Sequence, residues 1–205
     1  MVEPVPYVFE RLRRNYAHVD RVTLENAAIS DHDGLLTFYF FEEAIGSDRS
    51  RVPEQYHLLG SASRDVLLRH IDVPDRERRI VSEQLPCMTF DTLCRRHAIE
   101  RIDVLVVDAE GHDCKIVRQM DFARLRPRIL AYEDVHAEDA ERAGCEEMLT
   151  ELGYEMMREG FDTWCVDTRP DDALTRKWRE VRRTGPAVRR EDLERWFAAV
   201  TGERR

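Results

Sequence analysis

The sequence predicts an α/β fold built on a mostly parallel sheet with an antiparallel edge, and three segments carry that prediction. Ile102 to Val107 (Ile-Asp-Val-Leu-Val-Val) is a β-branched, nearly continuous apolar run. Such a run suits a strand buried on both faces of a parallel sheet. Arg128 to Tyr132 repeats the pattern after a short helical stretch, as alternating strands and helices do in α/β domains. Tyr154 to Asp167 holds two short strand candidates around Glu159-Gly160, which reads as a hairpin and hence as an antiparallel edge.

The remaining elements follow in order. Met1 to Asn15 reads as the end of a strand followed by a helix, with Val2-Glu3-Pro4 extended and Pro6 suited to a first helical turn. Val22 to Ile29 suits a strand, Asp31-His32-Asp33-Gly34 a turn, and Leu35 to Phe41 a further strand. From Glu42 to Ser63 the apolar pattern weakens around Gly46, Pro53 and Gly60, which predicts an irregular loop able to cover a site. Glu83 to Cys94 should pass from an extended piece into a helix that has Thr89 or Asp91 at its start and ends near His97. Cys114 to Met120 and Cys145 to Leu152 read as helices, the second capped by Gly153. One domain over 1–169 and a charged, helical tail over 170–205 are expected, with Trp178, Leu193, Trp196 and Phe197 as the tail's apolar anchors.

Bulk properties narrow the function. Hydrophobic residues make up 42% of the chain and charged residues 36%, so a core can form beneath a densely charged surface. The formal net charge of -9 argues against a general nucleic-acid binder. The five cysteines are scattered without a Cys-x-x-Cys pair, which favours buried free thiols over a zinc site. No apolar run reaches the roughly 18 residues of a membrane span and the opening residues lack a signal-peptide pattern. No membrane partner and a cytoplasmic location are therefore expected.

Ligands of open α/β sheets lie beyond the carboxyl ends of the strands, which gives weight to the acidic residues placed there. Glu3 follows the first extended piece and could accept hydrogen bonds from ribose hydroxyls, or could be a solvated strand end. Asp108 and Glu110 flank Ala109 after the valine-rich strand, with Gly111 allowing a sharp turn. They are either site carboxylates or caps of the next helix. His112 and His136 each follow acidic residues and are candidate general bases, the alternative being exposed loop histidines. A cation site from Asp108, Glu110, Glu133 and His136 is chemically open, but a metal-free site ranks above it. Ser61 and Ser63 lack a nucleophile elbow and serve better as binding or capping groups. Walker, Gly-x-Gly-x-x-Gly and His-Glu-x-x-His motifs do not occur.

An ordered set of motifs then resembles the FkbM methyltransferase family. It consists of Val2-Glu3-Pro4, Asn26 to Asp31 with Gly34, Gly60 to Ser63, Thr89-Phe90-Asp91-Thr92-Leu93, Ile102 to Gly111, Tyr132-Glu133 and Leu152-Gly153-Tyr154. The resemblance implies a Rossmann-like, class I methyltransferase sheet, S-adenosylmethionine as cofactor, and O-methylation of a hydroxyl on a sugar or natural-product-type small molecule. By position it implies that Glu3 holds the cofactor ribose, that Asn26, Ala27 and Ala28 lie beside the adenine, and that Asp108 and Glu110 line the reaction side. His112 or His136 would assist the acceptor.

Two departures from the family pattern qualify this. Family members carry a strand and a glycine-rich turn ahead of the Glu-Pro segment, whereas only Met1 and Val2 precede Glu3. The expected sheet therefore lacks its usual first strand. Val106 stands where the family usually has lysine. A non-catalytic binding or interaction domain derived from a methyltransferase is the alternative, and a metal-dependent hydrolase comes third.

Overall fold

A computed structural model describes residues 1–42, 59–70 and 76–184. Its chain forms α1 (Pro6–Asn15), β1 (Ala28–Ile29), β2 (Gly34–Phe41), β3 (Gly60–Ser61), α2 (Arg64–His70), α3 (Arg76–Arg79), β4 (Ile80–Met88), α4 (Phe90–Arg96), β5 (Val104–Val107), α5 (Asp113–Arg118), β6 (Ile129–Glu133), α6 (Asp139–Glu151), β7 (Tyr154–Glu159), β8 (Asp162–Asp167) and α7 (Ala173–Thr184). The α/β class is as expected. None of the described helices is long and apolar enough to cross a membrane.

The strands form two four-stranded sheets, ordered β1-β4-β2-β3 and β5-β6-β8-β7. Among the ladders of the described strands, β1–β4 and β5–β6 are parallel and the others antiparallel. The expected single, mostly parallel sheet is therefore replaced by two mixed ones. Chain length between strands is the physical reason. Only Ser30 to Asp33 separate β1 from β2, too few for the crossover of about a dozen residues that parallel strands require. The chain reverses, and β2 aligns antiparallel to β4 from Gly34↔Cys87 to Phe41↔Ile80. At the other end, Gly160 at φ +64 turns β7 directly into β8, as the Glu159-Gly160 signal predicts.

The expected strand over Val22 to Ile29 is reduced to β1 and a parallel bridge between Val2 and Glu25. β4 begins three residues before the extended piece expected from Glu83. Pro6 opens α1, and Thr89 caps α4 by accepting the Thr92 N–H at 3.1 Å. His97 ends that helix. α7 realises the helical start of the tail; its proposed anchors Leu193, Trp196 and Phe197, and positions 43–58 of the proposed loop, lie outside the described residues.

The two sheets share one core. Ala27, Met88, Phe90 and Leu93 pack with Val117, Leu130, Tyr132 and Leu149 from the second sheet and its helices. The other face of the first sheet holds Phe38, Phe40 and Leu85 against Val5 and Val8 at the start of α1. Burying these side chains supplies the main drive for folding. All five cysteines are free and buried within these layers.

β5 departs from expectation in a way that shapes the site. Among the described residues it is an end strand, paired only with β6, and Val104 and Val106 are 55% and 63% exposed. A continuous apolar run predicts burial on both faces, but burial also needs neighbours on both edges. The open flank of β5 and the segment Met1–Val5 instead line a shared cavity.

A buried ion pair locks the second sheet to the preceding loop. Arg126 Nε donates to Asp167 at 2.7 Å and a further nitrogen of the same guanidinium to the Leu152 carbonyl, while its Cζ lies 4.8 Å from the Tyr154 ring centroid. Burial pushes the Asp167 carboxyl upward, but the Arg126 and Arg169 guanidiniums outweigh it and hold it well below the usual carboxylate range. Asp167→Asn should cost about 3 kcal/mol at pH 7, because Arg126 keeps its charge in a mostly buried place. A lowered carboxyl contributes fully above its unfolded value near about 4 and loses that contribution as the pH falls toward its folded value. Urea denaturation should accordingly show the gap between wild type and variant narrowing from pH 7 to pH 3; an equal gap at both would remove the ionic explanation.

Candidate active site beyond β5 and β6

The carboxyl ends of β5 and β6 lie side by side because the strands are parallel, with Val107 opposite Tyr132. Each chain then continues into an acidic loop. After β5, Glu110 and Gly111 both take positive φ, +46 and +94, a conformation that strains an L residue such as glutamate. The turn is held from outside. Asp113 accepts the Ala109 N–H at 3.1 Å and the Gly111 N–H at 3.2 Å, and the buried Ser61 hydroxyl donates to the Glu110 carbonyl at 2.7 Å. Glycine is required at 111 on two counts: its φ, and the space there, where a Cβ would lie 3.2 Å from Val66 and 3.3 Å from His136.

After β6 the loop is tied through Asp134, which is buried, accepts the Thr163 hydroxyl at 2.8 Å and pairs with Arg158. Arg142 donates to the carbonyls of Asp134 and Ala137, each at 3.1 Å. These bonds bracket His136, whose Nε2 lies 3.8 Å from Glu110 Oε2 and 3.9 Å from Glu133 Oε2.

The cavity beside this turn measures about 530 Å³ and is lined by Glu3, Ala27, Ala28, Asp108, Glu110 and His112 together with apolar side chains that include Leu36, Phe38 and Phe90. That volume lies within the range of about 300–1,000 Å³ usual for small-molecule sites. Its lining combines carboxylates with apolar side chains.

Burial governs the acidic lining. It pushes Glu3 up to about 7, opposed by the Val5 N–H bonded to its Oε1 at 2.7 Å and reinforced by the Asp108 charge. Burial and the neighbouring charges of Glu133, Asp108 and Asp113 push Glu110 up to about 8, and burial with Asp108 and Asp113 pushes Glu133 up to about 7. Asp108 is raised by burial and by Asp162. His112 moves the other way, lowered by burial and by Lys115, so its imidazole is neutral near neutral pH and able to accept a proton. Perturbation concentrated in one cleft is a mark of functional sites.

Most of the expected site residues therefore converge. Glu3 is a desolvated cavity residue and not a solvated strand end. The capping alternative for Asp108 and Glu110 is corrected, since Asp113 bonds the turn's N–H groups. Asn26 stands apart: its amide donates to the Glu3 and Pro4 carbonyls at 2.8 and 3.1 Å, and it lines a second, smaller cavity. Its neighbours Ala27 and Ala28 do reach the main one. His136 sits behind Glu110 and is not among the residues lining the cavity. Sequence reasoning missed Asp113, although an acidic residue in the first turn of a helix and two residues after a glycine is a signal of a bonded helix start.

The model of the Methyltransferase FkbM domain matches residues 1–159, so the chain belongs to that family. No curated protein and no solved structure matches the chain.

Gly111→Ala should destabilise the fold by about 1–3 kcal/mol, through strain at positive φ and the close Val66 and His136 contacts. Gly144→Ala, in the body of α6 with only an ordinary 3.5 Å contact to Arg118, should be neutral or stabilise by about 0.5–1 kcal/mol. Parallel thermal melts would check the opposite signs.

Proposed function

We propose that this FkbM-family chain binds S-adenosylmethionine in the 530 Å³ cavity and transfers its methyl group to a hydroxyl of a sugar or natural-product-type small molecule. The observation that carries the proposal is the placement of Glu3 and Asp108 on one cavity that apolar side chains also line. That donor set suits the cofactor: a carboxylate can accept both hydroxyls of a ribose, and apolar side chains can cover an adenine. Carboxylates nearby favour a positively charged sulfonium.

In this reading Glu3 holds the ribose, Ala27 and Ala28 lie against the adenine, and Asp108 and Glu110 face the reacting end. The bound cofactor supplies a methyl group already activated by its positive sulfur. The protein's part is positioning in line and removal of one proton. His112 would serve as the base, its neutral imidazole taking the proton that the acceptor hydroxyl loses when the cofactor supplies its methyl group. His136, set behind Glu110, positions that carboxylate.

One observation favours a second reading, a non-catalytic interaction domain. The open edge of β5, with Val104 and Val106 exposed, can pair with another strand.

Calorimetric titration of S-adenosylmethionine separates the two. Saturable binding weakened at least tenfold by Glu3→Ala, about 1.4 kcal/mol, is the expected result. Affinity should rise between pH 6 and pH 8, because Glu3 titrates at about 7 and its ionised form is the stronger acceptor. Glu3→Gln should flatten that rise. A folded chain that binds no cofactor across this range would leave the interaction domain as the better reading.

A further inference from the structure

Glu110, Glu133 and His136 come from two adjacent strand ends, yet one carboxylate oxygen from each glutamate and one imidazole nitrogen all lie within 4.8 Å of one another. The Nε2 to oxygen distances of 3.8 and 3.9 Å are too long for hydrogen bonds. They are a few tenths of an ångström wider than the edge of about 3.4 Å that joins ligands around a tetrahedral cation with bonds of 2.0–2.2 Å. The remaining edge, between the two carboxylates, is at most 4.8 Å, so side-chain rotations of the glutamates would have to draw their oxygens together around an ion.

We propose that Glu110, Glu133 and His136 form a divalent-cation site that meets the cavity through Glu110. Two carboxylates and an imidazole are the donor set of cations such as Mn²⁺ and Zn²⁺, which accept mixed oxygen and nitrogen ligands, whereas Mg²⁺ prefers oxygen alone. The charges of Asp108 and Asp113 act on the same place, which favours a doubly charged ion.

The ligands are also held from behind. The Glu110 carbonyl is bonded by Ser61, and Arg142 bonds the carbonyls on either side of His136. Such outer contacts orient ligands without competing for their donor atoms. Three protein ligands leave positions open on the ion. Because Glu110 lines the cavity, an open position there would take the acceptor's hydroxyl oxygen and ease loss of its proton. That use rests on the methyl-transfer reading, whereas the site itself rests only on the geometry of its ligands.

The test is titration of Mn²⁺ into the chelator-treated full chain, followed by calorimetry and by the electron paramagnetic resonance signal of free Mn²⁺, and repeated with Zn²⁺. The expected result is one ion per chain for either metal. Glu133→Gln and His136→Ala should each weaken binding at least tenfold, with circular dichroism confirming the fold. Glu83→Gln, exposed on β4, should leave binding unchanged. Absence of saturable binding of both metals by the folded chain would overturn the site, as would binding that survives both ligand substitutions. S-adenosylmethionine titrated with and without Mn²⁺ keeps the two proposals apart: one ion bound per chain without cofactor binding would uphold the site while removing methyl transfer.

Discussion

Asp113 does its work without facing the cavity. Its two carboxylate oxygens accept the N–H groups of Ala109 and Gly111, which would otherwise be left without bonds as β5 ends and the chain reverses. Holding those N–H groups inward turns the intervening Glu110 outward, in a backbone conformation that glutamate would not choose on its own. Ser61 completes the arrangement from the other sheet. The position of the acidic lining, and with it every functional proposal made above, depends on this turn.

The turn is useful because of where the sheets place it. The parallel pairing of β5 with β6 puts both acidic loops at the same end, and the Glu3 segment lines the same cavity as Asp108 and Glu110. Carboxylates gathered in a half-buried cleft repel one another and lose hydration, so their protons are held more tightly than in water. That is unfavourable for folding, and the compensating stability comes from elsewhere: the apolar layers around Leu130 and Phe40, and the Arg126–Asp167 and Arg158–Asp134 pairs that lock the second sheet.

Much of the local structure was legible in the sequence because its causes are local. Pro6, Thr89, Gly153 and Gly160 each specify a helix end or a turn through their own backbone chemistry, and each stands where expected. Acidic residues at strand ends, and a histidine just after them, pointed to Glu3, Asp108, Glu110 and His112, which do share a cavity. Asn26 lines a second cavity instead, because a motif gives position along the chain but not the direction of an amide, and here that amide is bonded to the Glu3 and Pro4 carbonyls.

What the sequence determined by itself was therefore the α/β class, the hairpin of β7 and β8, the helix boundaries with strong capping signals, and the family. Those follow from side-chain periodicity and backbone preference over a few residues. Tertiary structure alone decided the rest: that the strands split into two mixed sheets, that β5 is an end strand despite its apolar run, and that Glu110, Glu133 and His136 meet. Strand partners and ligand sets join residues far apart in the chain. Their selection depends on connection lengths and on which edges find neighbours, and no short stretch of sequence contains either.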